Sequence, residues 1–547
     1  MITRRRFLSK AALGAAGLGA AVIRTKDVSG ANGRFGLHPF IENHPEAVFI
    51  MRTDLHDKMD DEAKNAFGRD FGRIAFVSLQ SGGVPSGISI PVKPNFKTAP
   101  YFKHPQDMLQ GTATDPWFIE GMIGSMQELG ISGKQFHLRE VNRPETFGRY
   151  GFVDMAKRSG ADLRLDLATP VGKGLEEGRD YNWTDIPDGV VFDKIPHLEP
   201  INTPGTFMLN IAKMKTHPMG MTLCCKNLQG AIAHNFQQLC NPSMFGGKTA
   251  AHQRKNAAKS INSNYRRHVR EEIIPRWDRP GRGGGKWQEL WASRTLDNVS
   301  ATPCALHVIE GMYSRDGNAS ICGPHPIGQK HKYNWLGFSS TGKSRDHLSN
   351  VIVFGKDIFR VDLIGYWLGG HEPGNFGLYH LAIERGLSNA LDPQAIPVYL
   401  WDENGATLLP LESFDRTALL TMYLRRDYDG LDEQFYHLVN EPFDYSKVDG
   451  IAQPPVYNKP VVRVAEEIVI TPFRPWMQFE YHLPKSGDIK LEIAGADGNT
   501  VAVPAEGKSA GGAHLARWDT TLHPAGIYQW RFRANGETIT GDIRLEK

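Results

Sequence analysis

Two rhythms of apolar and polar residues divide the chain. Between about Arg34 and Tyr445, short β-branched or apolar runs alternate with amphipathic stretches of helical period, the pattern of an α/β domain with a mostly parallel wound sheet and helices on both faces. Asp115 stands as a helix N-cap with Pro116 at the first helical position. Phe118, Ile119, Met122, Ile123 and Met126 then recur on one face until Gly130 ends the run. Phe136 to Val141 reads as the next strand, Phe152 to Ser159 as a helix and Asp162 to Leu167 as a strand. Strand signals return at Pro303 to Ile309 and Val351 to Phe354. Past the proline-rich joint of residues 451–461 the period changes to two: Ile489, Leu491 and Ile493 alternate with polar neighbours, as do Tyr528, Trp530 and Phe532. A small β-sandwich over residues 462–547 follows from that alternation.

The N-terminus has a third pattern. Thr3-Arg4-Arg5-Arg6-Phe7-Leu8 with Lys10 carries the paired arginines of a twin-arginine export signal. Ala11 to Ile23 is rich in Ala and Gly and shorter than the roughly 20 residues of a membrane-spanning helix. Residues 1–32 are therefore expected to be a signal peptide read by the twin-arginine translocase, leaving residues 33–450 as an α/β domain outside the cytoplasm, periplasmic or extracellular, with no stable membrane span. The segment holds no cysteine, so no lipid anchor is expected.

Composition narrows the partners. A net charge of +3 over 547 residues is too small to imply nucleic acid as a partner, and none is expected. Cys224 and Cys225 are adjacent, Cys240, Cys304 and Cys322 stand alone, and no Cys-x-x-Cys spacing offers a zinc knuckle or an iron–sulfur cluster. Buried thiols, or one disulfide through Cys240 or Cys322, are the readings left. One stretch departs from the balanced charge: Lys248 to Lys286 holds eleven lysines and arginines against Glu271, Glu272 and Asp278, within a basic insertion near 245–300. It reads as a lid that steers a polyanion, or as a solvated helix and loop.

Candidate chemistry collects where apolar runs end, because open α/β sheets bind ligands at the carboxyl ends of their strands. Ile88 to Val92 ends in Lys93-Pro94-Asn95, and Phe207 to Ile211 leads into Lys213-Met214-Lys215-Thr216-His217. Cys304 to Ile309 leads into Glu310-Gly311, and Val351 to Phe354 into Gly355-Lys356-Asp357, so these blocks are expected on one edge. Together with Thr222 to Gly230 (TLCCKNLQG), Asp316-Gly317, Gly323-Pro324 and Val361-Asp362, they resemble the domain of unknown function 362 family across most of Ala47 to Asn389. The chain has Glu310 where that family usually has Asp, and lacks the ferredoxin-type cysteine motifs of many members. Farther on, Trp518-Asp519 with Pro524-Ala525-Gly526-Ile527-Tyr528 resembles the Ig-like domain of flagellar hook-capping proteins, which implies a holding or docking module.

Lys93, Lys215 and Lys226 gathered at one edge would repel one another unless negative charge arrives. That points to an anionic small molecule or acidic glycan, held by Lys93, Asn95, Lys226 and Asn227, with Lys215 or His217 moving a proton. The other reading of the same lysines is structural, as ion-pair partners of Glu310, Asp316 and Asp362. No cofactor is specified. A divalent metal on Glu310, Asp316 and Asp362, joined by His217 and Asp357, is chemically suitable, although no His-Glu-x-x-His spacing is present. Asp362 lies in a helical run where it caps or faces solvent, and His325, His371 and His380 are expected as plain surface residues. Two function classes follow: an exported enzyme on an anionic substrate, or a non-catalytic exported binding or assembly protein.

Overall fold

The computed structural model describes residues 33–96, 110–169, 171, 173–217, 220–233, 285–317, 344–402, 405–420, 442–448, 460–464 and 476–545. The expected signal peptide, Cys240, Cys322, His325, the Gly323-Pro324 block, the proline-rich joint and most of the basic stretch lie outside the described residues. The chain divides into a large unit, Asn32–Pro455, and a second built on Val456–Lys547.

In the large unit one mixed sheet runs through the middle. Its strands are β1 (Val48–Arg52), β2 (Ile90–Pro94), β3 (Phe136–Leu138), β4 (Asp162–Leu163), β5 (Leu209–His217) and β6 (Gly220–Thr222). They continue with β7 (Leu306–Arg315), β8 (Asp346–His347), β9 (Val351–Gly355), β10 (Val398–Asp402) and β11 (Gly405–Leu408). The spatial order is β11-β10-β1-β9-β7-β5-β2-β3-β4, with β6 beside β5 and β8 beside β7. The pairs β7/β5, β5/β2, β2/β3 and β3/β4 are parallel, as is β10/β1. Strand β9 runs antiparallel to both its neighbours, β7 and β1.

That one reversal changes where a motif lies. Gly355 is in register with His307, near the start of β7, whereas Gly311 on the far side of Glu310 is opposite Val351. Gly355-Lys356-Asp357 therefore sits on the edge opposite to the other blocks, because the carboxyl end of an antiparallel strand meets the amino ends of its neighbours. Asp357 serves there as the N-cap of helix Ile358–Leu368, accepting from the Phe359 and Arg360 amides.

Helices cover both faces of the sheet. On one, α1 (Asp61–Ala75), α2 (Pro116–Glu128) and α3 (Phe152–Ser159) share a core with Val92, Leu209, Ile211, Val308 and Phe354. The α2 start is as the sequence implies: Asp115 accepts from the Trp117 amide and Pro116 occupies the first turn. Gly68 and Gly121 let α1 and α2 touch backbone to backbone, since a Cβ on either would overlap the other helix's main chain. On the opposite face, α4 (Cys224–Asn227), α5 (Gly285–Ala301), α6 (Ile358–Leu368) and α7 (Gly377–Glu384) enclose Ala212, Met214, Ile309 and Val353. Helix α5 buries Trp291, Ala292 and Leu296, so the last part of the insertion near 245–300, past the basic stretch itself, belongs to the core and not to a surface flap. His371 and His380 are also buried, against the surface role expected of them; each ring meets a backbone carbonyl, of Leu419 and Gly374, at 2.6 Å.

The second unit is all antiparallel. Strands β12 (Val461–Val464), β13 (Trp476–Leu483) and β16 (Gly512–Asp519) form one sheet, and β14 (Gly487–Ala494), β15 (Thr500–Ser509), β17 (Gly526–Ala534) and β18 (Glu537–Leu545) another. Phe479, Leu491, Trp518, Trp530 and Phe532 join in one core, and the intervening positions of β17 are exposed, as its period-two pattern requires. Among the described residues, no helix is long and apolar enough to cross a membrane.

Candidate functional site

The strand order contains one place where the winding reverses. From β2 the chain moves outward to β3 and β4, then returns to lay β5 on the other side of β2 and continues to β7. Adjacent parallel strands β2 and β5 also send their following segments to opposite faces, towards α2 and towards α4. A crevice outside their carboxyl ends is the topological consequence, and Lys93-Pro94-Asn95 and Lys213 to His217 are its two lips.

On the α4 face the crevice floor is a buried polar network. Asn210 is in register with Lys93 on one side and His307 on the other, so the three side chains share a face. Asn227 joins them: its Nδ2 donates to Lys93 O at 3.0 Å and Asn210 Oδ1 at 2.8 Å, while its Oδ1 accepts from Asn95 Nδ2 at 2.9 Å and Lys93 Nζ at 3.2 Å. Asn210 Nδ2 donates in turn to Cys224 O at 3.0 Å and to the His307 ring at 3.1 Å. Lys93, 1% exposed, spends its other donors on Pro94 O and on the Glu140 carboxylate. Burial pulls its pKa below the ordinary lysine value, with Glu140 opposing. Glu140 also explains the glycine that ends the TLCCKNLQG block: a Cβ at Gly230 would overlap both carboxylate oxygens and lie 2.6 Å from Cδ.

The short helix bearing Lys226 and Asn227 is aimed by Asp362. Its carboxylate accepts from the Cys224 amide at 2.7 Å and the Cys225 amide at 2.8 Å. Burial lifts the Asp362 carboxyl to a pKa of about 7 in spite of these donors. Cys224 and Cys225 are free, buried thiols whose pKa values burial drives up, so neither is poised as a thiolate. Lys226 is half-buried.

Lys213 and Lys215 point to the other face, because Leu209 and Ile211 at the same strand parity enter the α1–α2 core and Met214 between them enters the α4 side. Lys213 is held by both Glu310 oxygens at 2.8 Å, its direct partner in the β5/β7 register, and lies 3.3 Å from the Tyr313 ring centroid. Glu310 also accepts from the Asp115 amide, and Tyr313 donates to Asp115 Oδ2 at 2.8 Å. Lys215 donates to Thr112 O, and His217, half-buried at the strand's end, stacks on Trp291 with ring centroids 6.0 Å apart.

Lys93, Asn95 and Asn227 thus come together, with Lys226 beside Asn227 in the chain, while Lys215 occupies the opposite face from Lys93. Glu310, Asp316 and Asp362 are dispersed: Glu310 holds Lys213, Asp316 accepts from the Arg345 amide at 2.7 Å and meets His347 at 3.3 Å, and Asp362 holds the α4 amides. Among the described residues, no group of three His, Cys, Asp or Glu is placed to share a metal ion. Glu140, Asn210 and Arg294 were not singled out from the sequence. Glu140 had a signal, since it stands near the end of an expected strand, as Lys93 does; Asn210 inside a strand and Arg294 inside a helix had none.

No curated protein matches this chain. Among solved structures, an engineered protein crystallised at 1.98 Å is 13% identical, with 35% of this chain and 46% of that chain covered and a TM-score of 0.13, a likeness too slight to carry any argument. The family model described as "Domain of unknown function (DUF362)" matches residues 90–366, from β2 to α6 and so through every block that builds the crevice, and the chain belongs to that family.

Proposed function

We propose that this protein is exported by the twin-arginine route and acts as an enzyme on an anionic small molecule or acidic sugar bound in the crevice between β2 and β5. The reading is supported chiefly by the reversal of winding, which sets lysines and amides from two strands and the α4 helix at one crevice. Lys226, half-buried, is the cation offered to the ligand. Lys93, neutralised by Glu140, fixes Asn227 and Asn95 beneath it, and His217, with Lys215 behind the strand, is the proton-transfer group. A divalent ion is not part of the proposal, since each carboxylate that would hold one is engaged with another partner. The C-terminal unit is read as an Ig-like β-sandwich that docks or spaces. Its exposed Leu522 and Ile527 favour the second reading, a non-catalytic exported binding or assembly protein that grips a partner through this unit.

The test is thermal unfolding of the purified protein with phosphate, sulfate, small carboxylates and uronic acids. A true ligand at a hundred times its Kd stabilises by about 2.7 kcal/mol. Lys226→Met is expected to abolish the shift. A panel that leaves the melting temperature unchanged throughout would sink the anion reading. Export is tested separately: Arg4→Lys with Arg5→Lys should strand precursor in the cytoplasm, and normal secretion of the double variant refutes the route.

A further inference from the structure

We propose that the α5 face carrying Trp291, Arg294 and Asn298 is the recognition wall of this site, and that its ligand is a hydroxylated carboxylate of glycoside length, an acidic sugar, and not an inorganic oxyanion. The inference rests on the anion-binding reading. The three residues stand at i, i+3 and i+7, on one side of the helix. Two of the three touch the crevice blocks: Trp291 stacks on His217 with an interplanar angle of 22°, and Arg294 Nη2 donates to Gln229 Oε1 at 2.9 Å, three residues after Lys226.

Orphaned polar atoms mark the face as built for something else. Asn298 is 0% exposed, yet among the described residues neither its Nδ2 nor its Oδ1 has a hydrogen-bond partner, and Trp291 Nε1, also buried, has none. A buried polar group left unmet costs about 1–3 kcal/mol, so three on one helix face call for an occupant. Its chemistry follows from theirs. Trp291 Nε1 and Asn298 Nδ2 require acceptors, and Asn298 Oδ1 requires a donor. Sulfate offers acceptors alone. From 291 to 298 the helix rises about 10 Å, more than one tetrahedral oxyanion spans, whereas a uronic acid residue or its dimer supplies a carboxylate and hydroxyls that both donate and accept along that length.

The experiment is titration calorimetry of the purified full chain with sodium sulfate, glucuronate and digalacturonate. Wild type is expected to bind digalacturonate at least tenfold more tightly than sulfate. Trp291→Phe keeps an aromatic ring against His217 and removes only the N–H donor and ring area; Asn298→Leu removes the amide. Each is expected to weaken uronate binding about tenfold, which is about 1.4 kcal/mol, and to leave sulfate binding unchanged. Should Asn298→Leu fail to fold, Trp291→Phe decides alone. If sulfate binds through Lys226 but uronates bind no tighter, or Trp291→Phe leaves them unaffected, the orphaned atoms are met by buried water only and this inference fails while the anion reading stands. If no probe binds at all, the anion reading itself fails and takes the inference with it.

Discussion

Lys213 and Glu310 are both 0% exposed, directly in register, and joined by two contacts of 2.8 Å. At an effective dielectric constant of about 20, unit charges at 2.8 Å attract by about 6 kcal/mol. Removing both ions from water costs several kcal/mol each, so the intact pair adds little net stability. Breaking it is another matter. Lys213→Met leaves a carboxylate whose only other donor is the Asp115 amide, and Glu310→Gln leaves an ammonium over the Tyr313 ring; each is expected to cost about 3–5 kcal/mol. In Lys213→Met/Glu310→Gln no charge remains, the glutamine carbonyl still accepts from Asp115, and only the amide nitrogen goes unmet, at about 1–3 kcal/mol. The double variant should therefore be about as stable as either single one or more so, with a coupling energy of about 3 kcal/mol or more. Urea unfolding of the four proteins at pH 7, at constant m-value, measures it. Single losses below about 1 kcal/mol, or additivity within about 0.5 kcal/mol, would refute the view that burial governs this pair.

Three further outcomes are expected. Gly230→Ala pushes a methyl group into the Glu140 carboxylate and should destabilise the large unit by about 1–3 kcal/mol in the same urea assay; an unchanged midpoint would mean that Glu140 moves aside freely. Asp362, with its pKa raised from 3.8 to about 7, keeps a proton in the folded state that the unfolded chain releases above about pH 4, so its contribution to stability is present at low pH and is lost as pH rises through about 7. His197 and His307, held down to about 3 by burial, act in the opposite sense below the ordinary histidine range, so the comparison is with Asp362→Asn. The stability of that variant relative to wild type should rise between pH 4 and 7, and parallel curves would show that Asp362 does not titrate there. Finally, a chain ending at Pro455 should still melt cooperatively, because its cores share no residue with the core of the second unit; loss of the transition would make the C-terminal strands integral to the fold.

What the sequence determined by itself was local. Asp115-Pro116 starts a helix wherever it is placed, because an N-cap acceptor and a preset φ act within one turn; Phe152 to Ser159 and the alternation of Tyr528, Trp530 and Phe532 are equally self-contained. The same locality placed Lys93 and Asn95 at a strand's end, since residues that end parallel strands carry their position with them; Asn227, on α4, was reached through the resemblance of the TLCCKNLQG block. Strand direction is not local. Nothing in Val351 to Phe354 tells whether that strand runs with β7 or against it, and the antiparallel choice alone sends Lys356 and Asp357 to the far edge. Side-chain parity was readable within β5 but its meaning was not: Lys213 and Lys215 face away from Lys93 because Leu209 and Ile211 pack under α1 and α2, which only the folded layers reveal. Pairing is likewise a property of neighbours distant in sequence. Glu140 meets Lys93 because β3 lies beside β2, Glu310 meets Lys213 because β7 lies beside β5, and Asp362 reaches the Cys224 and Cys225 amides because α6 crosses the start of α4. A sequence states which charges a chain carries, but tertiary packing, by choosing which of them lose water together, decides which carboxylates are spent on lysines and amides and which side chains are left facing the crevice.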